Sequence, residues 1–174
     1  KSIQRAVDMS SDGDEILVAP GTYDPFVAWK NEKLTIRSTE GALKTIIDGG
    51  GVERCVTLYD TDKMMLIGFT VRNGHATKDS PGTKLNGGGV VYASVYNCII
   101  EENKADGNGG GAYGCNLYNT KILNNSASGE GGGTYYGEMI VGCIVSGNVS
   151  GGAGGGIYNY NEISNCLISN NKAA

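Results

Sequence analysis

Between positions 86 and 171 the chain writes three consecutive glycines four times, at residues 87–89, 109–111, 131–133 and 154–156. A short signature follows each triplet: VYNCIIEEN from Val95, LYNTKILNN from Leu117, IVGCIVSGN from Ile140 and ISNCLISNN from Ile163. As a rule this reads aliphatic, any, Asn/Gly, Cys/Thr, any, Ile/Val, any, any, Asn. The signatures recur after 22, 23 and 23 residues, and the next triplet always begins six positions after the final Asn. Length variation is therefore confined to the segment between triplet and signature. A period of this size marks a solenoid, in which each unit buries its apolar face only by stacking on its neighbours.

Helical repeats are excluded: each Gly costs a helix about 1 kcal/mol relative to Ala, and no apolar residues recur at i, i+3, i+4. Leucine-rich repeats would need several Leu per unit. Within the signature, the Cys/Thr and Ile/Val positions alternate with a variable residue, the two-residue period of a half-buried strand. Short strands, Gly/Asn corners and a rung of about 22 residues predict a parallel β-helix of six to seven coils.

Residues 1–15 read as an N-terminal cap, a short amphipathic helix with Ser2 as N-cap and Ile3, Ala6 and Val7 on one face. A helix there covers strand edges and core side chains at the solenoid's end. Residues 16–74 read as less regular rungs; LIGFTVRNG from Leu66 places Phe69 in the Cys/Thr column and Val71 in the Ile/Val column. From Gly74 to the first triplet is thirteen residues instead of six, so residues 75–86 form an inserted loop, and residues 87–174 carry the regular repeats. An insertion on a rigid solenoid is where binding or catalysis tends to sit.

The net charge of −4 does not favour nucleic acid. No apolar run approaches the ~18 residues of a membrane span. The chain carries neither an initiator Met nor a signal peptide, and reads as a processed product or an excised piece. Residues 107–174 hold only five charged side chains, Lys121, Glu130, Glu138, Glu162 and Lys172.

The series SIQRAVDMSSDGDEILVAPGTY, TIIDGG, GFTVRNG and then repeated GGG..Y......NC.I..N is similar to the bacterial secreted right-handed parallel β-helix repeat proteins of the pectin-lyase-like superfamily. The resemblance covers nearly the whole chain and extends to surface adhesin repeats. It implies a right-handed β-helix in a secreted or cell-surface protein. Its relatives include polysaccharide lyases and hydrolases beside many members without known activity.

A hydrolase of that group would show neighbouring aspartates and a later Gly-His-Gly; here the only histidine is His75 and the last aspartate is Asp106. A lyase-like reaction needs acidic residues holding Ca²⁺ against a uronate, and an Arg or Lys as base. The local set that could serve is Asp60, Asp62, Lys63, Arg72, Lys78, Asp79 and Lys84, with Arg72, Lys78 and Asp79 as catalytic candidates beside the insertion. The plainer expectation is a surface Arg72 near Glu101, which holds the same column one rung later.

The glycine triplets lack the Lys-Ser/Thr of a phosphate loop and the Asp of calcium-binding repeats, and read as tight corners. Cys98, Cys143 and Cys166 share a column with Thr120 and are expected as free thiols, as are Cys55 and Cys115. No metal site is expected. Asn103, Asn125, Asn148 and Asn171 read as a corner column, with the Asn in a left-handed conformation and its amide bonded to the next rung.

Tyr92, Tyr113, Tyr135 and Tyr158, with Tyr136, follow the triplets. Facing outward they make an aromatic ladder for sugar rings; facing inward they pack the corner. An outward column reading Thr70, Ile99, Lys121, Ile144 and Leu167 makes Ile99, Ile144 and Leu167 interface candidates, covered by the inserted loop or by another chain. The end of the chain after a signature is the other expected place of self-association. The leading expectation is a non-catalytic secreted or surface module for adhesion, glycan binding or rigid display, needing no cofactor. A lyase-like enzyme using Ca²⁺ and a structural assembly unit are the alternatives.

Overall fold

The computed structural model describes residues 2–29 and 33–174; Lys1 of the expected cap and residues 30–32 of the irregular rungs lie outside them. The chain forms a parallel β-solenoid of about seven turns with one short helix at its N-terminus. A seven-stranded parallel sheet runs its length, from Gly21–Tyr23 through Thr70–Arg72 and Ile99–Glu101 to Leu167–Ser169. A second wall is four-stranded, from His75–Ala76 to Val149–Ser150. His75 and Ala76 thus pair with Lys104 and Ala105, so the insertion proper begins at Thr77.

The remaining strands form an eleven-stranded sheet. In the early rungs it is two separate stacks, for example Val90–Val91 and Ser94–Tyr96. In the last two rungs these fuse into the continuous strands Thr134–Val141 and Ile157–Ser164. The cause is one residue: Tyr113 and Leu117 are four apart, whereas their partners Tyr135 and Ile140 are five apart. That extra residue, which makes the interval 23 instead of 22, is a bulge that straightens the bend.

The signature maps onto the core as the alternation requires. Val95, Leu117 and Ile140 stack in one buried column, and Ile100, Ile122 and Val145 in another. Cys98, Thr120 and Cys143 are buried between them. The backbone N–H of each donates to the side chain one rung on: Cys98 to Thr120 Oγ1 (3.3 Å), Thr120 to Cys143 Sγ (3.4 Å), Cys143 to Cys166 Sγ (3.4 Å). All five cysteines are free thiols. Burial pushes Cys55, Cys98 and Cys115 up to about 12 and Cys143 to about 11.

The Asn column forms an amide ladder. Asn103 Nδ2 donates to Asn125 Oδ1 (3.0 Å), Asn125 to Asn148 (3.0 Å) and Asn148 to Asn171 (2.9 Å). The left-handed backbone is not at these residues but one position earlier, at Glu102, Asn124, Gly147 and Asn170. The preceding residue absorbs the corner, which leaves each ladder Asn free to turn its amide into the core. The glycine triplets back onto this ladder: a Cβ on Gly111 would meet the Asn125 side chain at 2.9 Å and one on Gly110 would strike the carbonyls of Gly132 and Ser126. The tight-corner expectation therefore holds.

Helix Ile3–Met9 closes the N-terminal end, with Ser2 Oγ accepting from Arg5 N–H and Ile3 and Val7 buried. No helix among the described residues is long and apolar enough to cross a membrane.

Candidate functional site

A groove of about 640 Å³ lies where the cap helix, strand Phe26–Val27, the turn at residues 49–54 and the insertion meet. Its apolar wall includes Pro25, Phe26, Val52 and Pro81, and its polar rim Gln4, Glu53, His75, Thr77, Asp79 and Ser80. A cleft of about 360 Å³ adjoins it, sharing Gly51 and His75 and bounded by Asn73, Glu102 and Lys104. An apolar surface with a few convergent polar groups is the usual form of a ligand site.

What fixes the groove is Arg54, a residue the sequence reading did not single out. Arg54 is buried, only 3% exposed, and its guanidinium is bonded to carbonyl and hydroxyl oxygens. Nε donates to Gly87 O (2.7 Å), Nη1 to Thr57 Oγ1 (3.2 Å) and to Pro81 O, and Nη2 to Lys84 O (2.6 Å) and Asn86 O (2.7 Å). A guanidinium has five N–H groups, and all five find acceptors here. Burial lowers Arg54 to about 10, against the opposing pull of Tyr59 and Tyr92, so it stays charged at neutral pH. Arg54 is the clasp that holds residues 81–87, of which Pro81 lines the groove.

Of the catalytic candidates, Asp79 lines the groove, Lys78 is exposed on the loop, and Arg72 is engaged elsewhere. Arg72 lies beside Glu101 in register, as expected, and its Nε pairs with Asp48 Oδ2 at 2.8 Å, one rung earlier. Burial acts to raise Asp48. It is outweighed by hydrogen bonds from Gly50 N–H and the Asn73 amide and by Arg72, which hold the carboxyl below its usual range. Asp60 pairs with Lys63 at 3.6 Å, and the Lys84 carbonyl belongs to the Arg54 clasp. The residues grouped by sequence are thus dispersed over separate contacts. His75 Nε2 meets Asp106 Oδ1 at 2.9 Å at the junction of groove and cleft.

The tyrosines face outward. Tyr113, Tyr135 and Tyr158 are in register, and their rings stack at 5.4 and 5.5 Å with interplanar angles of 9° and 13°. Tyr92 is one position out of register, in a left-handed conformation, and meets Tyr113 edge-on at 5.8 Å. Tyr136 occupies the same left-handed position two rungs later. Rings this close leave no gap for a sugar ring between them, so the ladder presents edges and hydroxyls. A second pair, Tyr96 and Tyr118, stacks at 4.6 Å.

The aliphatic column also faces outward, in register from Thr70 through Ile99, Lys121 and Ile144 to Leu167. Ile99 and Ile144 are half-buried and Leu167 is exposed. Thr70 is covered from the side of Ala42, whose carbonyl accepts its hydroxyl at 2.8 Å. The insertion's contacts run instead to Arg54, Tyr59 and Gly107. In the last rung Ile163 and Ile168 are about half exposed, although their partners Ile140 and Val145 are fully buried.

Among the described residues no three His, Cys, Asp or Glu side chains converge as metal ligands. Comparison with curated proteins gives no match, and comparison with solved structures gives none either. A family model described as "Periplasmic copper-binding protein (NosD)" matches residues 7–174, every rung of the solenoid, and the chain belongs to that family.

Proposed function

We propose that this chain is a non-catalytic binding module of the cell envelope, which holds a saccharide chain in the groove beside its insertion. The observation that carries this reading is the groove itself: an apolar wall with a polar rim, preformed because Arg54 binds residues 81–87 through four hydrogen bonds. A pyranose offers the matching surface, apolar on its C–H faces and hydroxylated at its edge. The family's periplasmic description supports an envelope setting.

That description also names copper, and the donor set of this chain does not fit it. Copper sites draw on imidazole or on thiolate and thioether groups. The one imidazole, His75, is bonded to Asp106, the Cys98 and Cys143 thiols sit in the hydrogen-bonded core column with their protons held up to about 12 and 11, and the thioethers are spread over the cap helix (Met9), strand Met64–Ile67 (Met64, Met65) and strand Thr134–Val141 (Met139). No step of the proposed function runs through a metal.

The test is calorimetric titration of the protein with soluble oligosaccharides, beside Val52→Arg. Val52 is exposed on the groove wall, so the substitution blocks the groove without touching the core. Binding that is lost in Val52→Arg with an unchanged circular dichroism spectrum is the expected result. Binding that persists in the variant would place the saccharide elsewhere and overturn the reading.

A further inference from the structure

The charged groups around the groove narrow the class of ligand. Glu53 and Asp79 line it, and the adjoining cleft adds Glu102. The one cation in the lining among the described residues, Arg54, has every N–H group committed to a loop carbonyl or to Thr57. An incoming carboxylate could gain Arg54 only by releasing one of those oxygens, buried, without a partner. His75 and Lys104 do not restore the balance, because both are drawn to Asp106, at 2.9 and 3.9 Å. The Gln4 amide is likewise occupied, bonded in both senses to Val27. The free charges at the rim are therefore carboxylates, facing a wall of Phe26, Val52 and Pro81.

We propose that the groove selects an amine-bearing saccharide, whose ammonium groups pair with Glu53 and Asp79, over the uronate chains that lyases of this fold class process. The proposal rests on the saccharide-groove reading above. A uronate would bring like charges together beside Glu53 and Asp79, whereas a protonated aminosugar brings opposite ones. At partly exposed carboxylates each such pair is worth about a fivefold gain in affinity, and it weakens as salt rises.

The experiment is titration calorimetry on the intact chain with three probes of equal length. These are a β-1,4-linked glucosamine tetrasaccharide with its amines protonated, its fully N-acetylated counterpart, and tetragalacturonate. The glucosamine tetramer is expected to bind tightest and the galacturonate not at all. Glu53→Gln and Asp79→Asn should each weaken the glucosamine tetramer by about fivefold and leave the N-acetylated one unchanged. Both side chains are exposed, so neither variant threatens the fold. Equal affinity for the amine-bearing and N-acetylated chains in every variant, or preferential binding of galacturonate, overturns the charge assignment while leaving a saccharide groove in place. Failure of all three probes to bind overturns the groove reading and this inference with it.

Discussion

The side-chain amide of Gln4 pairs with the backbone of Val27 in both directions: Oε1 accepts from Val27 N–H at 2.8 Å and Nε2 donates to Val27 O at 2.9 Å. A side chain thereby supplies the hydrogen bonds that a neighbouring strand would give, and blunts the edge of Phe26–Val27. Gln4→Ala leaves both groups unpaired where the cap helix shields them. We expect a loss of about 1–2 kcal/mol, measured by urea denaturation. A loss no larger than that of Arg5→Ala, on the exposed side of the same helix, would show that the pairing contributes nothing.

Arg54 ties the insertion to the rungs through carbonyl oxygens alone, so a residue lacking the fork releases the loop. Arg54→Met should leave the regular repeats intact while making the bonds after Lys78 and Lys84 the first sites of trypsin cleavage. Arg54→Lys recovers the charge but only part of the hydrogen bonding, and should fall between the two. Timed proteolysis followed by mass spectrometry checks the order. Equal resistance in all three proteins would mean that other contacts hold the loop.

Each internal rung of the Asn ladder satisfies several buried groups at once. Asn125 Oδ1 accepts from Asn103 N–H and from the Asn103 amide, and its Nδ2 donates to Ile100 O and Asn148 Oδ1. Asn125→Ala removes all four bonds and should cost about 2–4 kcal/mol. Asn171→Ala lies at the ladder's exposed end and should cost less than half as much. Chemical denaturation of both variants measures the difference.

The buried thiols contribute, beside the buried Tyr160 hydroxyl, to the alkaline limb of stability. Folded Cys55, Cys98 and Cys115 hold their protons up to about 12, above the ordinary thiol value of about 9. With the folded value raised, this stability is fully present below about pH 9 and is lost as pH rises toward the folded values. The melting temperature should therefore fall steadily above about pH 9. Cys98→Thr borrows the residue that already fills this column at Thr120, and should flatten the slope without lowering stability at neutral pH. An unchanged slope would assign the alkaline loss to other groups.

The regular rungs were legible because their code is periodic: Val95, Cys98, Ile100 and Asn103 recur in columns, and stacking turns each column into a buried row. The groove was not, because Gln4, Phe26, Val52 and Asp79 come from segments without a shared period. Arg54 escaped notice for a further reason: four of its five partners are carbonyl oxygens, which carry no residue identity. Arg72 does lie beside Glu101 in register, but the carboxylate it bonds, Asp48, sits on the other side. Asp48 and Glu101 flank it equally in register, and what favours Asp48 is the anchoring of its carboxylate by Gly50 and Asn73 in an irregular rung.

The Asn ladder has a direction. In the sheets, bonds from neighbouring residues run alternately toward the two ends of the solenoid, as Asn119 N–H donates forward to Val141 while Lys121 N–H donates back to Cys98. Their dipoles largely cancel. Between members of the ladder every amide-to-amide bond runs forward, from Asn103 to Asn171, so these bonds add along the axis, while each Nδ2 also donates to a carbonyl one rung back. The row starts at an oxygen, Asn103 Oδ1, held by Gly74 N–H and the Cys55 thiol, and finishes at the Asn171 amide nitrogen, whose bond is to Val145 O. A tube without net charge on its axis thereby acquires a polarity, negative toward the insertion and positive toward the last rung, and every added rung lengthens it.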